Sequence, residues 1–240
     1  MKIALIGYGK MGKAIEEIAL KRGHEIVLRV NIDNLEDNTP EKIRKADVAI
    51  EFSGPDSAVD NISRCLRAGV AVVSGSTGWL AKYEEIRELC LAENGGFVYA
   101  SNYSVGVNIF FEVNSRLAEL MASHPDYEVS LTEVHHTEKK DAPSGTAITL
   151  AEQVLEKIHR KKGWVNHNSD NLDELEIISE RVDPAPGTHM VKYHSDIDTI
   201  EIVHTAHNRK GFATGAVLAA EFIQHKKGVF GMKDVLGFSH

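Results

Sequence analysis

Cysteine is nearly absent from this chain of 240 residues: there are two, Cys65 and Cys90. Neither belongs to a Cys-x-x-Cys pair, so a disulfide scaffold is excluded and two free thiols buried in helices are expected. Positive charge is also in short supply, with 27 Lys+Arg against 35 Asp+Glu and a formal net charge of -8. Nucleic acid and anionic lipid both demand a basic surface, so no nucleic acid and no membrane partner is expected. A small anion would have to find its cations gathered locally. Long apolar runs are missing as well, none approaching the ~20 residues that span a bilayer. Met1-Lys2 leads straight into Ile3-Ala4-Leu5-Ile6 with no small-residue cleavage site behind it, and a cytoplasmic location is the expectation. What remains is 42% hydrophobic residues with only 6 Pro, enough apolar content to build a core.

The first hundred residues alternate between two periodicities. Short apolar runs at Lys2–Ile6, Glu25–Ile32, Asp47–Phe52, Val70–Ser74 and Phe97–Ala100 read as strands. Between them, Ala14, Ile15, Ile18 and Ala19, and then Val59, Ile62 and Leu66, recur at helical spacing. Apolar strands alternating with amphipathic helices predict an α/β fold, a doubly wound parallel sheet covered on both faces. Beyond Asn102 the pattern changes. A helix is predicted over Val107–Met121, a strictly alternating strand over Tyr127–Val134, and a helix from Pro143 to about His159. Residues 161–173 lack periodicity and read as a loop; strands follow at Leu175–Arg181, Thr188–His194 and Thr199–Thr205, and helices at Ala213–His225 and Lys233–Leu236.

Gly7-Tyr8-Gly9-Lys10-Met11-Gly12 is a full G-x-G-x-x-G that follows a predicted strand and opens a helix. In that setting Gly7 serves the tight turn, Gly9 the approach of a pyrophosphate, and Gly12 the packing of helix on strand. The helix N-terminus adds free N–H groups and a positive dipole. The second strand is expected to end in Ile32-Asp33, with an acid 21 residues beyond Gly12 placed to accept hydrogen bonds from an adenosine ribose. An acid there repels a 2′-phosphate, and the next residue is Asn34 rather than Arg, leaving Lys10 as the compensating cation. The cofactor expected is NADH, with dual use of NADPH allowed. Further turns at Phe52-Ser53-Gly54 and Gly75-Ser76-Thr77-Gly78 follow the third and fourth strands, at the strand ends where such sheets bind ligands.

The densest chemistry lies between Glu133 and Ala147, where His135, His136, Lys139 and Lys140 precede Pro143-Ser144-Gly145-Thr146. Imidazole exchanges protons near neutrality, and a nearby ammonium neutralises or protonates developing charge. A helix start with outward N–H groups binds carboxylates, to which the Thr146 hydroxyl adds a donor. A metal centre is not expected. No H-E-x-x-H is present, cysteine offers no support, and His204 and His207, three apart on a strand, face opposite sides.

These residues resemble the signature of the 4-hydroxy-tetrahydrodipicolinate (dihydrodipicolinate) reductase family: two histidines, a lysine four residues after the first, then Asp141-Ala142-Pro143-Ser144-Gly145-Thr146-Ala147. The likeness extends to Gly7–Gly12, Gly75–Gly78, Ala100–Asn108, Arg209–Val217 and Val229–Leu236, effectively the whole chain. The resemblance implies a Rossmann-like cofactor domain over residues 1–103 plus 209–240, and an α+β domain over 104–208 that binds substrate and builds a homotetramer. It implies NADH and/or NADPH held by Gly7, Gly9, Lys10, Met11, Gly12, Asp33, Gly75, Ser76, Thr77, Ala100, Ser101, Asn102 and Tyr103. His135 would be proton donor and acceptor and Lys139 a second donor, with His136, Gly145 and Thr146 on the carboxylates of a small dicarboxylate substrate. The chain departs from the family at Asn34, where Arg is frequent, at Ser76-Thr77 in place of Thr-Thr, and at Asp183 in a segment that otherwise keeps Arg181, Gly187 and His189. Two rival readings, a Rossmann-type dehydrogenase for another imine and a non-catalytic NAD-binding module, both leave the cluster from His135 to Thr146 without a purpose.

Overall fold

A computed structural model describes residues 1–208 and 210–238. Arg209 and the last two residues, which the sequence reading assigned to the returning segment, lie outside the described residues. The chain divides into two compact units, one of residues 1–105 with 210–238, the other beginning at Gly106 and described to residue 208.

In the first unit β1 (Lys2–Ile6), β2 (Glu25–Val30), β3 (Val48–Glu51), β4 (Ala71–Ser74), β5 (Gly96–Tyr99) and β11 (Gly228–Phe230) form one sheet, ordered β11-β5-β4-β3-β1-β2 and parallel throughout. Between β1 and β5 the crossovers carry α1 (Lys10–Lys21), α2 (Pro40–Ile43), α3 (Pro55–Arg67) and α4 (Tyr83–Ala92). Because both faces are covered, residues alternating along one strand enter two different cores. Leu5 and Ile50 join Ile15 and Val217 on one side, while Ile6 and Ala49 join Ile62 and Leu66 on the other. That is why these strands read as continuous apolar runs. Helix α7 (Lys210–Ile223) closes the first of these cores with a face of small residues, Ala213, Gly215, Ala216, Ala219 and Ala220. A Cβ at Gly215 would stand 1.7 Å from the carbonyl oxygen of Tyr103, so only glycine permits that approach.

In the second unit α5 (Val105–Met121) precedes a mixed five-stranded sheet, ordered β10-β9-β6-β8-β7. Its strands are β6 (Glu128–His135), β7 (Gly163–Val165), β8 (Glu174–Arg181), β9 (Thr188–His194) and β10 (Thr199–Thr205). Central β6 runs parallel to β8 and antiparallel to β9. Its Val129 and Leu131 pack with Leu150, Ala151 and Val154 of α6 (Gly145–Lys157) and with Phe110 and Ala118 of α5 in a separate core. This is the α+β arrangement expected.

Several sequence expectations are corrected. Residues 161–173 are not all loop, since β7 lies inside them as a three-residue edge strand too short to show a period. Strand β11 and the short α2 are likewise too brief to register in the sequence. The second strand stops at Val30. Ile32–Asp37 form a 3-10 turn in which Asn34 accepts from the Asn31 backbone N–H at 2.7 Å and donates to Arg29 O at 2.9 Å. Asp33 is therefore not at a strand end but exposed on that turn.

Candidate active site

The cofactor face of the first unit is made largely of backbone. β1 and β3 are neighbours, and the connections leaving them go to opposite sides, to β2 and to β4. Their carboxyl ends thus flank the topological switch point at which open α/β sheets leave a crevice. A cleft of about 370 Å³ lies there, lined by Gly7, Gly9, Asn31, Ile32, Phe52 and Ser53 among others. Gly7 adopts φ +97°, and a Cβ on it would fall 2.1 Å from Phe52 O, so the turn itself demands glycine. Gly9 differs: its Cβ would meet no protein atom within 4 Å, so packing does not require glycine there. What it keeps open is the N-terminus of α1, whose N-cap carries no side-chain hydrogen bond and whose free N–H groups suit a pyrophosphate. The residues present fit a dinucleotide.

Under this crevice sits a residue that sequence reasoning passed over. Glu51 is fully buried at the end of β3. Its carboxylate accepts from Ser53 N at 2.8 Å, Ser74 Oγ at 2.6 Å and Ser76 Oγ at 2.7 Å. One acid thereby ties together the loops after β3 and β4. Ser76, expected on the cofactor, spends its hydroxyl on Glu51 and on the backbone N–H of Ser53, 3.0 Å away. The Tyr103 side chain is committed too. Its hydroxyl donates to Ser74 O at 2.8 Å, and burial holds it well above the ordinary phenol range. Thr77 and Ser101 are exposed, Ala100 and Asn102 half-buried, and all four lie in the segments following β4 and β5. Lys10 is exposed at the start of α1, Met11 is half-buried and Gly12 buried behind the turn.

The site of the second unit is made of side chains aligned across three strands. On β6 the inward series Val129, Leu131, Glu133, His135 begins apolar and ends charged. The register sets Glu133 beside His189 of β9 and Ser179 of β8, and His135 beside Arg181. Glu133 has no exposed surface. Its Oε1 accepts from the Ser144 backbone N–H at 3.0 Å, Ser179 Oγ at 2.7 Å and Arg181 at 3.1 Å. Its Oε2 lies 3.2 Å from His135 Nδ1 and 3.7 Å from His189 Nε2. Burial by itself would raise this carboxyl; the close approach of His135 and the hydrogen bonds from Ser144 and Ser179 overcome it and hold the group well below the carboxylate range. His189 meets the His135 ring edge-on, with centroids 5.0 Å apart, and shares a 3.0 Å hydrogen bond with Ser144 Oγ. Burial, and then the charge of His135, push its pKa down to about 4, so it is neutral at physiological pH.

Ser144 also caps α6 by accepting from Ala147 N at 3.2 Å, which leaves the Gly145 and Thr146 N–H groups at the first two helical positions for an outside acceptor. Gly145 is exposed and Thr146 half-buried. Arg181 donates to Asp141 O at 2.6 Å and so pins the loop between β6 and α6. Within that loop Lys139 is gripped by both carboxylate oxygens of Asp141 at 2.8 Å, and this hydrogen bonding holds Asp141 below its ordinary range. His136 is half-buried, and its carbonyl receives the Lys139 N–H at 3.2 Å. His135, His136, Lys139, Gly145 and Thr146 thus come together along one short connection. Glu133, Ser179, Arg181 and His189 join them through register, and the signal available for Glu133 was a charged residue in the inward phase of an alternating strand. Among the described residues Glu133, His135 and His189 also offer three ligand atoms within 4.8 Å, a grouping the sequence reading did not consider. Ser144, Ser179 and Arg181 already satisfy the carboxylate's other oxygen, and the cluster is understood more simply as a proton-handling network.

A doubly wound sheet with a glycine-turn crevice, joined to a unit bearing clustered proton donors, defines an oxidoreductase that uses a pyridine nucleotide. Two family descriptions match, "Dihydrodipicolinate reductase, N-terminus" over residues 1–103 and "Dihydrodipicolinate reductase, C-terminus" over 106–236. The chain is 51% identical to 4-hydroxy-tetrahydrodipicolinate reductase of Christiangramia forsetii over 98% of each sequence. It is 36% identical to that of Methanoregula boonei over 81% of this chain and 76% of the relative. Among solved structures, the dipicolinate-bound dihydrodipicolinate reductase of Paenisporosarcina sp. TG-14 has the same fold, with a TM-score of 0.78 at 22% identity over 96% of this chain and 97% of that one. A probable dehydrogenase of Thermotoga maritima shares the fold more loosely, at a TM-score of 0.58 and 10% identity over 98% and 92%. The chain belongs to the dihydrodipicolinate reductase family.

Proposed function

We propose that this chain reduces 4-hydroxy-tetrahydrodipicolinate to tetrahydrodipicolinate, in lysine and diaminopimelate biosynthesis, with the 4-hydroxyl leaving as water and NADH or NADPH oxidised. The observation that carries this reading is the meeting of His135 and Lys139 with an open helix N-terminus in a chain of net charge -8. The relative solved with dipicolinate supports a small aromatic-like dicarboxylate as the ligand class.

In this reading the first unit carries the dinucleotide, on Gly7, Gly9, Lys10, Met11 and Gly12, the Gly75–Thr77 loop and the Ala100–Tyr103 segment. The bound nicotinamide supplies hydride to an electron-poor ring carbon of the substrate. One substrate carboxylate docks on the Gly145 and Thr146 N–H groups with the Thr146 hydroxyl, and His136 supports its charge. His135 gives its Nε2 proton to the electron-rich ring that hydride addition leaves, and Lys139 exchanges Asp141 for the developing negative charge and serves as second donor. At the ribose end Asn31 lines the crevice and Arg29 is bound to Glu16. A 2′-phosphate gains nothing from either, which favours NADH, with Asp33 on the neighbouring turn as the ribose acceptor. The same reading takes the enzyme as a cytoplasmic homotetramer assembled through the second sheet, which the exposure of Ile200 and Val203 on β10 supports; light scattering giving a single-chain mass removes that part.

The test is turnover. Purified protein is mixed with NADH or NADPH and the condensation product of pyruvate and aspartate semialdehyde, and loss of nicotinamide absorbance is followed. Oxidation of either cofactor supports the assignment, and none with both overturns it.

A further inference from the structure

Glu133 touches both halves of the chemistry in the second unit. Through Oε1 it holds the Ser144 backbone, the N-cap of the helix whose next two N–H groups face the substrate carboxylate. Through Oε2 it stands 3.2 Å from Nδ1 of His135. Neither atom has a hydrogen bond of standard geometry to any described residue, and both are shielded from water, so the 3.2 Å approach leaves each facing the other. At the opposite edge of the imidazole, a Cβ built on Gly187 would fall 3.2 Å from His135 Nε2. Gly187 has φ +145°, a conformation that side chains rarely adopt, so the loop before β9 sits against Nε2 without covering it.

We infer that Glu133 is a positioning residue: it fixes the proton of His135 on Nδ1, presents Nε2 as the atom that exchanges protons with substrate, and ties this orientation to the carboxylate anchor at the start of α6. The inference rests on the proposed reduction and extends it. The physical logic is that of any imidazole whose far nitrogen is held by a carboxylate. The acid selects the tautomer and favours the ring when it is charged, and does not itself take the proton. The groups facing His135 are Glu133 from its own strand, His189 from β9 and Arg181 from β8, with Lys139 and Asp141 in the connecting loop and His204 of β10 beyond His189. Arg181 can only donate and is turned to Glu133, Glu180 O and Asp141 O, and His189 Nε2 is bonded to Ser144; the acceptor that faces Nδ1, at 3.2 Å, is Glu133 Oε2.

Glu133→Gln keeps the size and the Oε1 acceptor while removing the charge, and the whole chain is assayed with NADH and the condensation product across pH 5.5–9. Expected are a loss in kcat of about a hundredfold and a shift of the falling limb of kcat/KM to lower pH, with NADH binding, read by fluorescence, unchanged. Glu133→Asp, which restores charge, recovers part of the rate. A Gln variant within threefold of the parent, or one slowed equally at every pH with the limb in place, overturns the inference while the reductase reading stands. A parent chain that oxidises neither cofactor overturns both. If Glu133→Gln does not fold, Gly187→Ala gives a second reading. A methyl over Nε2 should lower kcat at least tenfold with NADH binding unchanged, and an undiminished kcat overturns the inference.

Discussion

The two units build their candidate sites from different materials. In the first, the ligand-facing groups are backbone: a glycine turn, an uncapped helix start, and loops braced from beneath by Glu51. In the second they are titratable side chains whose neighbours come from three strands and one helix cap. A backbone site is neutral and tolerates little change in shape, because a single Cβ at the wrong place collides with a carbonyl. A side-chain site depends on charge, because Glu133 is buried and survives there only with its donors in place.

Substitutions separate these two characters. The largest effect is expected from Gly7→Ala, which puts a methyl 2.1 Å from Phe52 O and strains a backbone at φ +97°. It should destabilise the first unit by about 5 kcal/mol, the upper tail for single substitutions, read as a collapse of its denaturant midpoint while the second sheet keeps its hydrogen-exchange protection. Equal loss in both units would break the comparison. Next comes His135→Ala, expected to lower kcat about a thousandfold, within the range of general acid catalysis, with NADH affinity and melting temperature near those of the parent.

Acid is the third probe. His189 has a folded pKa of about 4, below the ordinary 6.5, and is neutral in the native protein. Between those values the unfolded chain binds a proton that the folded chain refuses. Stability is therefore full above pH 6.5, falls as pH drops through the window, and loses nothing more from this group below 4. At ~1.4 kcal/mol per unit the total is about 3 kcal/mol. Hydrogen exchange at pH 7 and pH 4.5 should show protection lost first in the second sheet, and His189→Gln should flatten the dependence. The smallest effects belong to a matched pair, Gly9→Ala and Gly145→Ala. Neither Cβ would meet a protein atom within 4 Å, so folding should be indifferent. Each should nonetheless raise one KM about tenfold, a change of ~1.4 kcal/mol in binding: NADH for Gly9→Ala, the dicarboxylate for Gly145→Ala. A crossed result would reassign the ligands.

Much of this was legible in the sequence wherever the determinants are local. Strands β1, β9 and β10 were placed to the residue from their apolar phase. The glycine turn, the Ser144 cap and the His135-to-Thr146 segment announced themselves because their parts lie a few residues apart. The strand end expected at Ile32-Asp33 was misplaced for the same reason. Counting from Gly12 assumed a strand that continues, whereas Asn34 folds back onto Asn31 and Arg29 and ends it. Tyr103 and Ser76 were named as ligand-facing, yet their hydroxyls are spent on Ser74 O and Glu51, partners 29 and 25 residues away.

The sequence by itself therefore determined the class of sheet, the glycine turn, the helix cap and the family, since each follows from periodicity or from residues adjacent along the chain. Only the tertiary structure decided what surrounds His135. The pairing of Glu133 with His189, 56 positions on, and with Ser179, 46 positions on, is a matter of strand register. Register is settled by which faces of β6, β8 and β9 must be buried together. A slip of one residue would carry Glu133 and His135 to the other face of the sheet, with the sequence unchanged.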